Sequence, residues 1–381
     1  MAHFFLDFDT ANYLLGHATA VTSDSVLKDG DKTIIFMVKE EGESLAVARN
    51  TDLFVRIKFL PELVKEAGNI QLNSSELAKI LATYSGLSRT VVKNLEFRVN
   101  NSKIQVIVHE EAIDEDFQEF SGDTSYSLDN IKIKEKVLQD ISIDFDDENA
   151  ENVPSDELGL VLSTLIPIMD SKKGTNNNKI HFASDKVFVM DNRGQVFYEN
   201  ILPEVFGNST FRYSSVNYMR KLMESSNHLL AVVQGNKFAI RSENGEIEAF
   251  INQLGVSFNY KPTLDSITKE NGVIIDRAFL KDILRRLSII GSDPKISIQE
   301  DGVHITTEDF SRVVPIMNAK GNIFGVEFKV RSSLLSSMIV GEDSLMSNNL
   351  FMYVEKASRG LGYFLTISDD SGAFLSNTKV S

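Results

Sequence analysis

The sequence predicts an α+β protein in which one β-α-β-β-β unit occurs six times along 381 residues. Short amphipathic helices recur, each follows a strand, and alternating apolar runs come after each helix. Candidate helix caps mark the six units at intervals of 56 to 82 residues: Asp9, Asn73, Ser155, Ser214, Asp276 and Ser332. An α+β protein whose regularity is accidental is the alternative.

Residues 272–317 form the clearest unit. A strand at 272–275 precedes Asp276, a good N-cap, and a helix at 277–288. Apolar residues at helical spacing form its predicted buried stripe: Phe279, Leu280, Ile283, Leu284 and Leu287. The basic residues that lie off this stripe predict a positive exposed face: Arg277, Lys281, Arg285 and Arg286. Alternating apolar residues then predict strands at 295–299, 302–307 and 311–317.

The other units follow the same order of elements. Predicted strands lie at 3–8, 33–38, 45–48 and 53–59 in unit one, at 69–72, 94–99 and 103–108 in unit two, and at 140–145, 179–182, 186–190 and 195–198 in unit three. Further strands lie at 210–213, 228–233, 237–241 and 246–251 in unit four and at 326–330, 350–354, 363–367 and 372–375 in unit six. Each first strand precedes a predicted helix, and Pro167 is expected to end or kink the third one. The segment at 109–127 is rich in acidic residues and predicts a connection between domains, followed by a short helix at 131–138.

Six such units predict three two-unit domains, residues 1–127, 128–255 and 256–381. A strand-rich unit with one amphipathic helix buries the apolar stripe of that helix on its sheet. All helices would then lie on one side of a continuous, mostly antiparallel sheet. An open array of this kind has two free sheet edges, which homodimerisation would remove.

Composition limits the class of protein. The chain has no cysteine, which excludes disulfides, cysteine-ligated zinc and thiol chemistry. Neither a signal peptide nor an apolar membrane span is recognised, so we expect a cytoplasmic protein without a membrane partner. The net charge of −15 argues against nucleic-acid binding unless the positive charge is concentrated on one face.

The predicted helices carry such a concentration of positive charge. They contain ten basic and six acidic residues, a net charge of +4 against −19 for the rest of the chain. The alternative is the ordinary preference of Lys and Arg for helix surfaces, and the uncharged first helix favours it. The candidate phosphate-binding residues are Lys79, Lys172, Lys173, Arg220, Lys221, Arg277, Lys281, Arg285, Arg286 and Arg331.

Two stretches give the pattern a family resemblance. Residues 186–194, an apolar strand followed by an Asp-Asn-Arg-Gly turn, and the helix at 276–287 resemble bacterial DNA sliding clamps, the beta subunits of replicative polymerases. The acidic insert, the loop at 176–178 and the tail at 374–381 depart from that family. The chain is therefore similar to a divergent clamp, of a kind that a phage could encode.

The resemblance implies the processivity-clamp fold and a ring-shaped homodimer that encircles duplex DNA with twelve helices. It also implies partners: double-stranded DNA bound without sequence preference, a replicative DNA polymerase and a clamp loader. In the family, these proteins bind through a peptide in a cleft between domains two and three. Mapped onto this chain, the cleft would use Met190, Val196, Phe197, Tyr260, Pro262, Phe374 and Leu375. Val196, Phe197 and Phe374 could equally be core residues.

No catalytic residue or cofactor motif is recognised. The six histidines lack metal-ligand spacing, and neither a dinucleotide-binding nor a phosphate-binding glycine loop occurs. The carboxylates of residues 144–148 could attract a hard cation, but a solvated linker is the favoured interpretation. Two rival functions stay open: a β-rich structural protein such as a virion component, and an enzyme whose site the sequence does not reveal.

Overall fold

The computed structural model describes residues 2–22, 32–87, 90–113, 121–166, 179–183, 186–190, 195–199, 203–255, 265, 267, 269–339, 347–357, 362–369 and 374–381. Two compact units make up the chain. The first contains Met1–Val153 and Lys221–Asn252, and the second contains Pro154–Arg220 and Gln253–Ser381.

Seven α-helices lie in the described part of the chain: α1 (Phe8–Thr22), α2 (Ser74–Thr83), α3 (Glu135–Ile141), α4 (Ser155–Leu165), α5 (Tyr213–Ser225), α6 (Arg277–Ile290) and α7 (Ser332–Ile339). A short 3-10 helix covers Glu204–Phe206. The first fourteen strands are β1 (His3–Asp7), β2 (Thr33–Val38), β3 (Ser44–Arg49), β4 (Leu53–Phe59), β5 (Leu63–Glu66), β6 (Gly68–Asn73), β7 (Thr90–Asn100), β8 (Lys103–Ala112), β9 (Gly122–Asp129), β10 (Glu151–Pro154), β11 (Lys179–Phe182), β12 (Lys186–Met190), β13 (Gln195–Glu199) and β14 (Ser209–Arg212). They are followed by β15 (His228–Gln234), β16 (Lys237–Ser242), β17 (Ile247–Asn252), β18 (Gly272–Asp276), β19 (Lys295–Gln299), β20 (Gly302–Thr306), β21 (Ser311–Val314), β22 (Ile316–Lys320), β23 (Val326–Lys329), β24 (Asn349–Lys356), β25 (Tyr363–Asp369) and β26 (Phe374–Val380).

The strands form two sheets in each compact unit. The first compact unit has a five-stranded sheet, β5-β1-β7-β8-β9, and an eight-stranded sheet, β10-β15-β16-β17-β4-β3-β2-β6. The second unit has a nine-stranded sheet, β14-β11-β12-β13-β26-β25-β24-β18-β22, and a four-stranded sheet, β21-β20-β19-β23. The predicted α+β class and the β-α-β-β-β order are confirmed.

Each repeat gives its first strand to the sheet of the repeat beside it. β1 pairs with β7 while β6 pairs with β2, and β18 pairs with β24 while β23 pairs with β19. The repeats between them follow the same rule, with β10 beside β15 and β14 beside β11. This exchange is why an element order repeated six times in sequence produces pairs of interlocked repeats.

Two further strand pairs lengthen the larger sheets. β17 pairs with β4, which places Ala249 opposite Val55 and creates the eight-stranded sheet. β13 pairs with β26, which places Phe197 opposite Leu375 and creates the nine-stranded sheet. Both pairs join strands that lie far apart in sequence.

A segment of residues 131–147, here called the strap, packs on one face of the eight-stranded sheet. Val137, Ile141 and Phe145 of the strap pack on apolar side chains of the sheet: Ile35, Val47, Phe54, Val232, Ala239 and Phe250. Below them lies a buried ion pair in which Arg56 Nη2 is 2.5 Å from Glu248 Oε2. The Arg56 Nη1 group also donates a hydrogen bond to the Ile141 carbonyl at 3.0 Å. The strap therefore contacts strands on both sides of the β4–β17 pair.

Three predicted elements are wrong in detail. Residues 140–145 form no strand, because Ile141 and Phe145 belong to the strap; β10 takes the strand position instead. The acidic connection is partly strand, since β8 extends to Ala112 and β9 begins at Gly122. The single strand predicted at 311–317 is divided at Pro315 between two sheets, which fits the missing N–H of proline.

Helix caps were predicted with mixed success. Asn73 caps α2 by accepting from the N–H groups of Ser75 and Glu76, and Asp276 caps α6, as expected. The first helix begins at Phe8, two residues earlier than the predicted cap Asp9 implies, and its N-terminal acceptor is Asp7, which accepts from Thr10 N at 2.7 Å. Ser155 begins α4 as a buried helical residue whose hydroxyl has no hydrogen-bond partner among the described residues, so it is not a cap.

Candidate functional site

The basic helix α6 forms the centre of the candidate DNA-binding site. Asp276 Oδ1 accepts a hydrogen bond from Phe279 N at 2.6 Å, and the helix ends at Gly291, which has a left-handed φ of 73°. Its buried stripe consists of Leu280, Ile283, Leu284 and Leu287. Phe279, predicted within that stripe, is 45% exposed instead.

Three of its four basic residues reach the accessible surface. Arg285 and Arg286 are exposed and Lys281 is half-buried. Arg286 Nη2 lies 2.7 Å from Asp282 Oδ2 one turn earlier, an exposed pair that contributes little to stability. A cleft of about 430 Å³ between α6 and α7 is lined by Lys281, Asp282, Leu284, Arg285, Ser288, Ser336 and Ile339. Cations and hydroxyls at such a cleft can bind phosphate oxygens.

Arg277 corrects the predicted positive face. Its side chain is buried, at 2% exposure, and its Nε group donates a hydrogen bond to the Ile339 carbonyl at 3.3 Å. Ile339 is the last residue of α7, where carbonyls lack helical partners and a cation is favourable. Arg277 therefore joins two helices and does not lie on the exposed face of α6.

The remaining candidate cations differ in accessibility. Lys79 and Arg331 are exposed, and Arg220 is half-buried on α5. Lys221 Nζ donates a hydrogen bond to the Gly16 carbonyl of α1 at 2.7 Å, and burial lowers the pKa of this ammonium. Lys172 and Lys173 lie outside the described residues.

The predicted partner-peptide residues lie partly on adjacent strands. Met190 ends β12, Val196 and Phe197 belong to β13, and Phe374 and Leu375 begin β26. Phe197 stands opposite Leu375 in the β13–β26 pair, and Leu375, for which no core role was predicted, is buried. Tyr260 and Pro262 lie outside the described residues.

The fold also creates a polar cluster that sequence spacing did not indicate. Glu96 on β7, only 1% exposed, accepts from Arg98 and from the ring nitrogens of His3 and His109. Burial raises the pKa of Glu96, but the hydrogen bonds of these three partners outweigh it and lower the pKa to about 2. The histidines are 106 residues apart in sequence, so only strand pairing could bring them together.

Metal binding finds no support in the described ranges. No group of three histidine or carboxylate side chains there could hold a metal ion. In the acidic run at 144–148, Asp146 accepts from Asn149 and Asp147 pairs with Arg241. Among the described helices, none has both the length and the apolar character needed to cross a membrane.

Two buried histidines are held neutral. Burial, assisted by the charge of Lys221, lowers the pKa of His17 on α1 to about 4. Burial and the charge of Lys179 lower the pKa of His181 on β11 to about 4 as well. Both residues belong to the packed interior.

Comparison with solved structures identifies the architecture. The DNA polymerase III beta subunit of Thermotoga maritima superposes over 100% of this chain and 99% of its own, with a TM-score of 0.71 and 12% identity. The DNA polymerase III subunit beta of Borrelia burgdorferi matches 100% and 98% of the two chains, with a TM-score of 0.73 and 12% identity. This is the sliding-clamp fold. The Bacillus subtilis DNA polymerase sliding clamp gives a TM-score of 0.71 at 11% identity over 100% and 99% of the two chains.

Sequence comparison adds nothing to this result, because no protein-family model and no curated protein matches the chain. The clamp fold was nevertheless predicted from the six units and two short stretches. A feature of this chain that sequence reasoning missed is the end of α6, where Ile289 is 83% and Ile290 38% exposed. Ile289 lies outside the apolar stripe of α6, and an apolar residue at such a position was the sequence signal that could have indicated this exposed end.

Proposed function

We propose that this chain is a DNA sliding clamp, a processivity factor that encircles duplex DNA and tethers a replicative polymerase. The observation that carries the proposal is the basic exposed side of α6 on a full-length sliding-clamp fold. Its role is mechanical, and no catalytic residue or cofactor is assigned. In this role the protein would act on DNA in the cytoplasm, whether that DNA belongs to a bacterium or to a phage.

The proposed DNA contacts are electrostatic. Lys281, Arg285 and Arg286 would bind backbone phosphates, with Lys79, Arg220 and Arg331 as further contacts and Lys172 and Lys173 as candidates outside the described residues. Contacts to phosphates do not read bases, so the clamp could move along any sequence. The net charge of −15 keeps binding elsewhere on the chain unfavourable.

A homodimer is proposed as the ring-forming state, with three domains in each chain at 1–127, 128–255 and 256–381. In the described part of the chain, β9 is a terminal strand of its sheet in the first compact unit, and β21 is a terminal strand in the second. Pairing between β9 of one copy and β21 of the other would satisfy both edges. The exposed Ile289 and Ile290, on the helix that packs against β21, supply apolar area for this interface.

We propose that the polymerase and the clamp loader each bind through a short, mostly apolar peptide. This peptide would dock on strands β12, β13 and β26. The pairing of Phe197 with Leu375 supports it by bringing two distant candidates together. Tyr260→Ala combined with Leu375→Ala should weaken polymerase binding while the dimer persists. Full partner affinity in a folded variant would assign the peptide to another surface, and loss of folding would assign Leu375 to the core.

The test of the clamp proposal combines mass and shape. Light scattering should give twice the chain mass of 42.6 kDa, and electron microscopy should show a ring of six domains. Ile289→Asp should shift the protein to monomers, whereas Leu60→Asp, at a position that is 67% exposed against 83% for Ile289, should leave the dimer intact. A compact particle without a central hole, or no stimulation of its polymerase on long primed templates, would contradict the proposal.

A further inference from the structure

A second apolar pocket lies near the end of the nine-stranded sheet. It has a volume of about 250 Å³, and its lining includes Gly272, Ile274, Asn318, Lys320, Phe351 and Tyr353. Side chains alternate across a sheet, so Ile274, Phe351 and Tyr353 lie on the face opposite the buried Val273, Leu350 and Met352. The pocket therefore opens on the half-exposed face of strands β18 and β24.

Two aromatic rings and one glycine shape this pocket. The Phe351 and Tyr353 rings are stacked, with centroids 6.0 Å apart and planes at 10°. Gly272 stands opposite Tyr353 in the strand pair, and a Cβ at that position would lie 2.5 Å from Tyr353 Cδ1. A side chain at residue 272 would displace the ring, so glycine here maintains an aromatic wall.

The size of the pocket and the state of the adjacent edge restrict its occupant. A volume of about 250 Å³ is below the roughly 300–1,000 Å³ typical of small-molecule sites, and suits a single apolar side chain. The edge strand β22 is exposed, but Asn318 Oδ1 already accepts from Ala319 N at 2.8 Å. Because this edge donor is satisfied within the chain, docking through side chains is favoured over addition of a strand.

Lys320 supplies the charge that specifies the occupant. It is exposed at the rim of the pocket, and its Nζ group donates a hydrogen bond to the Lys269 carbonyl at 3.0 Å. An ammonium has three donors, and among the described residues this bond occupies one of them, which leaves two for a ligand. We propose that this pocket binds a peptide segment of a partner protein, which inserts one apolar side chain between Ile274 and the two rings and places a neighbouring carboxylate on Lys320.

This site differs from the candidate peptide site on β13 and β26. Strand β25 separates β26 from β24 in the sheet, so the two sites use different strands. The inference rests on the geometry of the pocket and does not depend on the clamp function. Its test can therefore fail while the ring and polymerase tests succeed, and the reverse also holds.

The test uses the full chain with isoleucine methyl groups labelled for NMR. The probe is a capped hexapeptide with Phe followed by Asp in a Gly-Ser background, with matched peptides that carry Ala for Phe or Lys for Asp. The Ile274 methyl signal, assigned with Ile274→Val, should shift saturably with the first peptide and far less with either matched peptide. The Ile289 methyl signal on α6 should stay constant.

Charge reversal provides the decisive variant. Lys320→Glu should weaken binding of the Asp peptide about tenfold, since an attraction is replaced by repulsion, and should favour the Lys peptide. Lys356→Glu, an exposed lysine at the end of β24, should change neither affinity. Three results would overturn the proposal: no saturable shift of Ile274, equal binding of the Asp and Lys peptides, or an Ile274 shift that follows protein concentration without peptide, which would identify a second copy as the occupant.

Discussion

The helix pairs α1–α2 and α6–α7 share one packing arrangement and differ in charge. In each pair, two helices contact each other, and the longer one contacts strands of both sheets in its compact unit. The α1–α2 pair carries Asp9, Glu76 and Lys79, whereas α6 alone carries four cations and one anion. The buried face of the repeat is therefore maintained by apolar packing, while its exposed face is free to vary in charge.

The comparison also separates two uses of a cation on a helix. Arg285 of α6 is exposed and available to a phosphate, but Arg277 of the same helix is buried against the end of α7. Lys221 similarly donates to the α1 backbone. A count of basic residues on helices therefore overstates the DNA-binding charge, and accessibility decides which cations contribute to it.

The largest effect is expected from removing the accessible charge of α6. Combined Lys281→Gln, Arg285→Gln and Arg286→Gln should reduce the salt dependence of DNA binding by about one logarithmic unit per lost phosphate contact. Fluorescence anisotropy with a duplex at several salt concentrations measures this salt dependence. The control combines Lys65→Gln, Lys356→Gln and Lys379→Gln, three exposed strand lysines with the same total charge change. Equal effects of both triple variants would show that net charge matters and the helix does not.

The next effect concerns stability. Arg277→Ala removes a buried donor from the last carbonyl of α7 and leaves a void, so it should lower the free energy of unfolding by about 2–4 kcal/mol. Arg285→Ala, at an exposed position, should change it by less than about 0.5 kcal/mol. Urea denaturation compares the two. If Arg277→Ala changes the salt dependence of DNA binding in a fully stable protein, the buried role assigned to Arg277 is wrong.

A third prediction concerns acid and distinguishes α1 from α6. The unfolded chain protonates His17 as the pH falls through about 6.5, whereas the folded chain keeps it neutral until its pKa of about 4. Stability present above pH 6.5 is thus lost between pH 6.5 and 4, by at most about 3 kcal/mol for this group. Hydrogen exchange at pH 7 and pH 5 should show lost protection in α1, whereas any loss in α6, which shares its compact unit with His181, should not depend on His17. His17→Gln should remove that pH dependence, and its persistence in this variant would assign it to another group.

The smallest expected effect comes from adding one cation to the α1–α2 pair. Asn12 is exposed on α1, so Asn12→Lys should add at most about one unit to the salt dependence of DNA binding if α1 faces the duplex as α6 does. Lys79→Gln on α2 should subtract a similar amount. If Asn12→Lys leaves salt dependence and affinity unchanged, α1 does not face the DNA, and the similarity between the two pairs is limited to packing.

Much of the fold could be predicted because it depends on local patterns. Alternation identified β18, β19 and β20, and the Asp276 cap and apolar stripe identified α6. These signals survive at 12% identity to solved clamps because they require residue classes and not particular residues. β9 was missed because it is an edge strand with mostly exposed polar residues, which leaves little alternation to detect.

The site was harder to predict because it depends on tertiary neighbours. Arg277 lies off the apolar stripe, and only the position of α7 buries it. The cluster around Glu96 and the pocket beside Tyr353 both require side chains from strands that are distant in sequence. Helical spacing distinguishes the apolar face of a helix from its polar faces, but it contains no information on what packs against the polar faces.

The exchanged first strands have a consequence for how such a chain can be shortened or built. A fragment that contains a single repeat would carry a first strand that has lost its partner in the neighbouring repeat, next to a three-stranded sheet with a vacant place. Two copies of that fragment could satisfy each other by trading these strands, which is domain swapping between identical molecules. The minimal autonomous piece is therefore a pair of repeats, and an isolated repeat such as residues 1–66 would be expected to persist only as a swapped dimer.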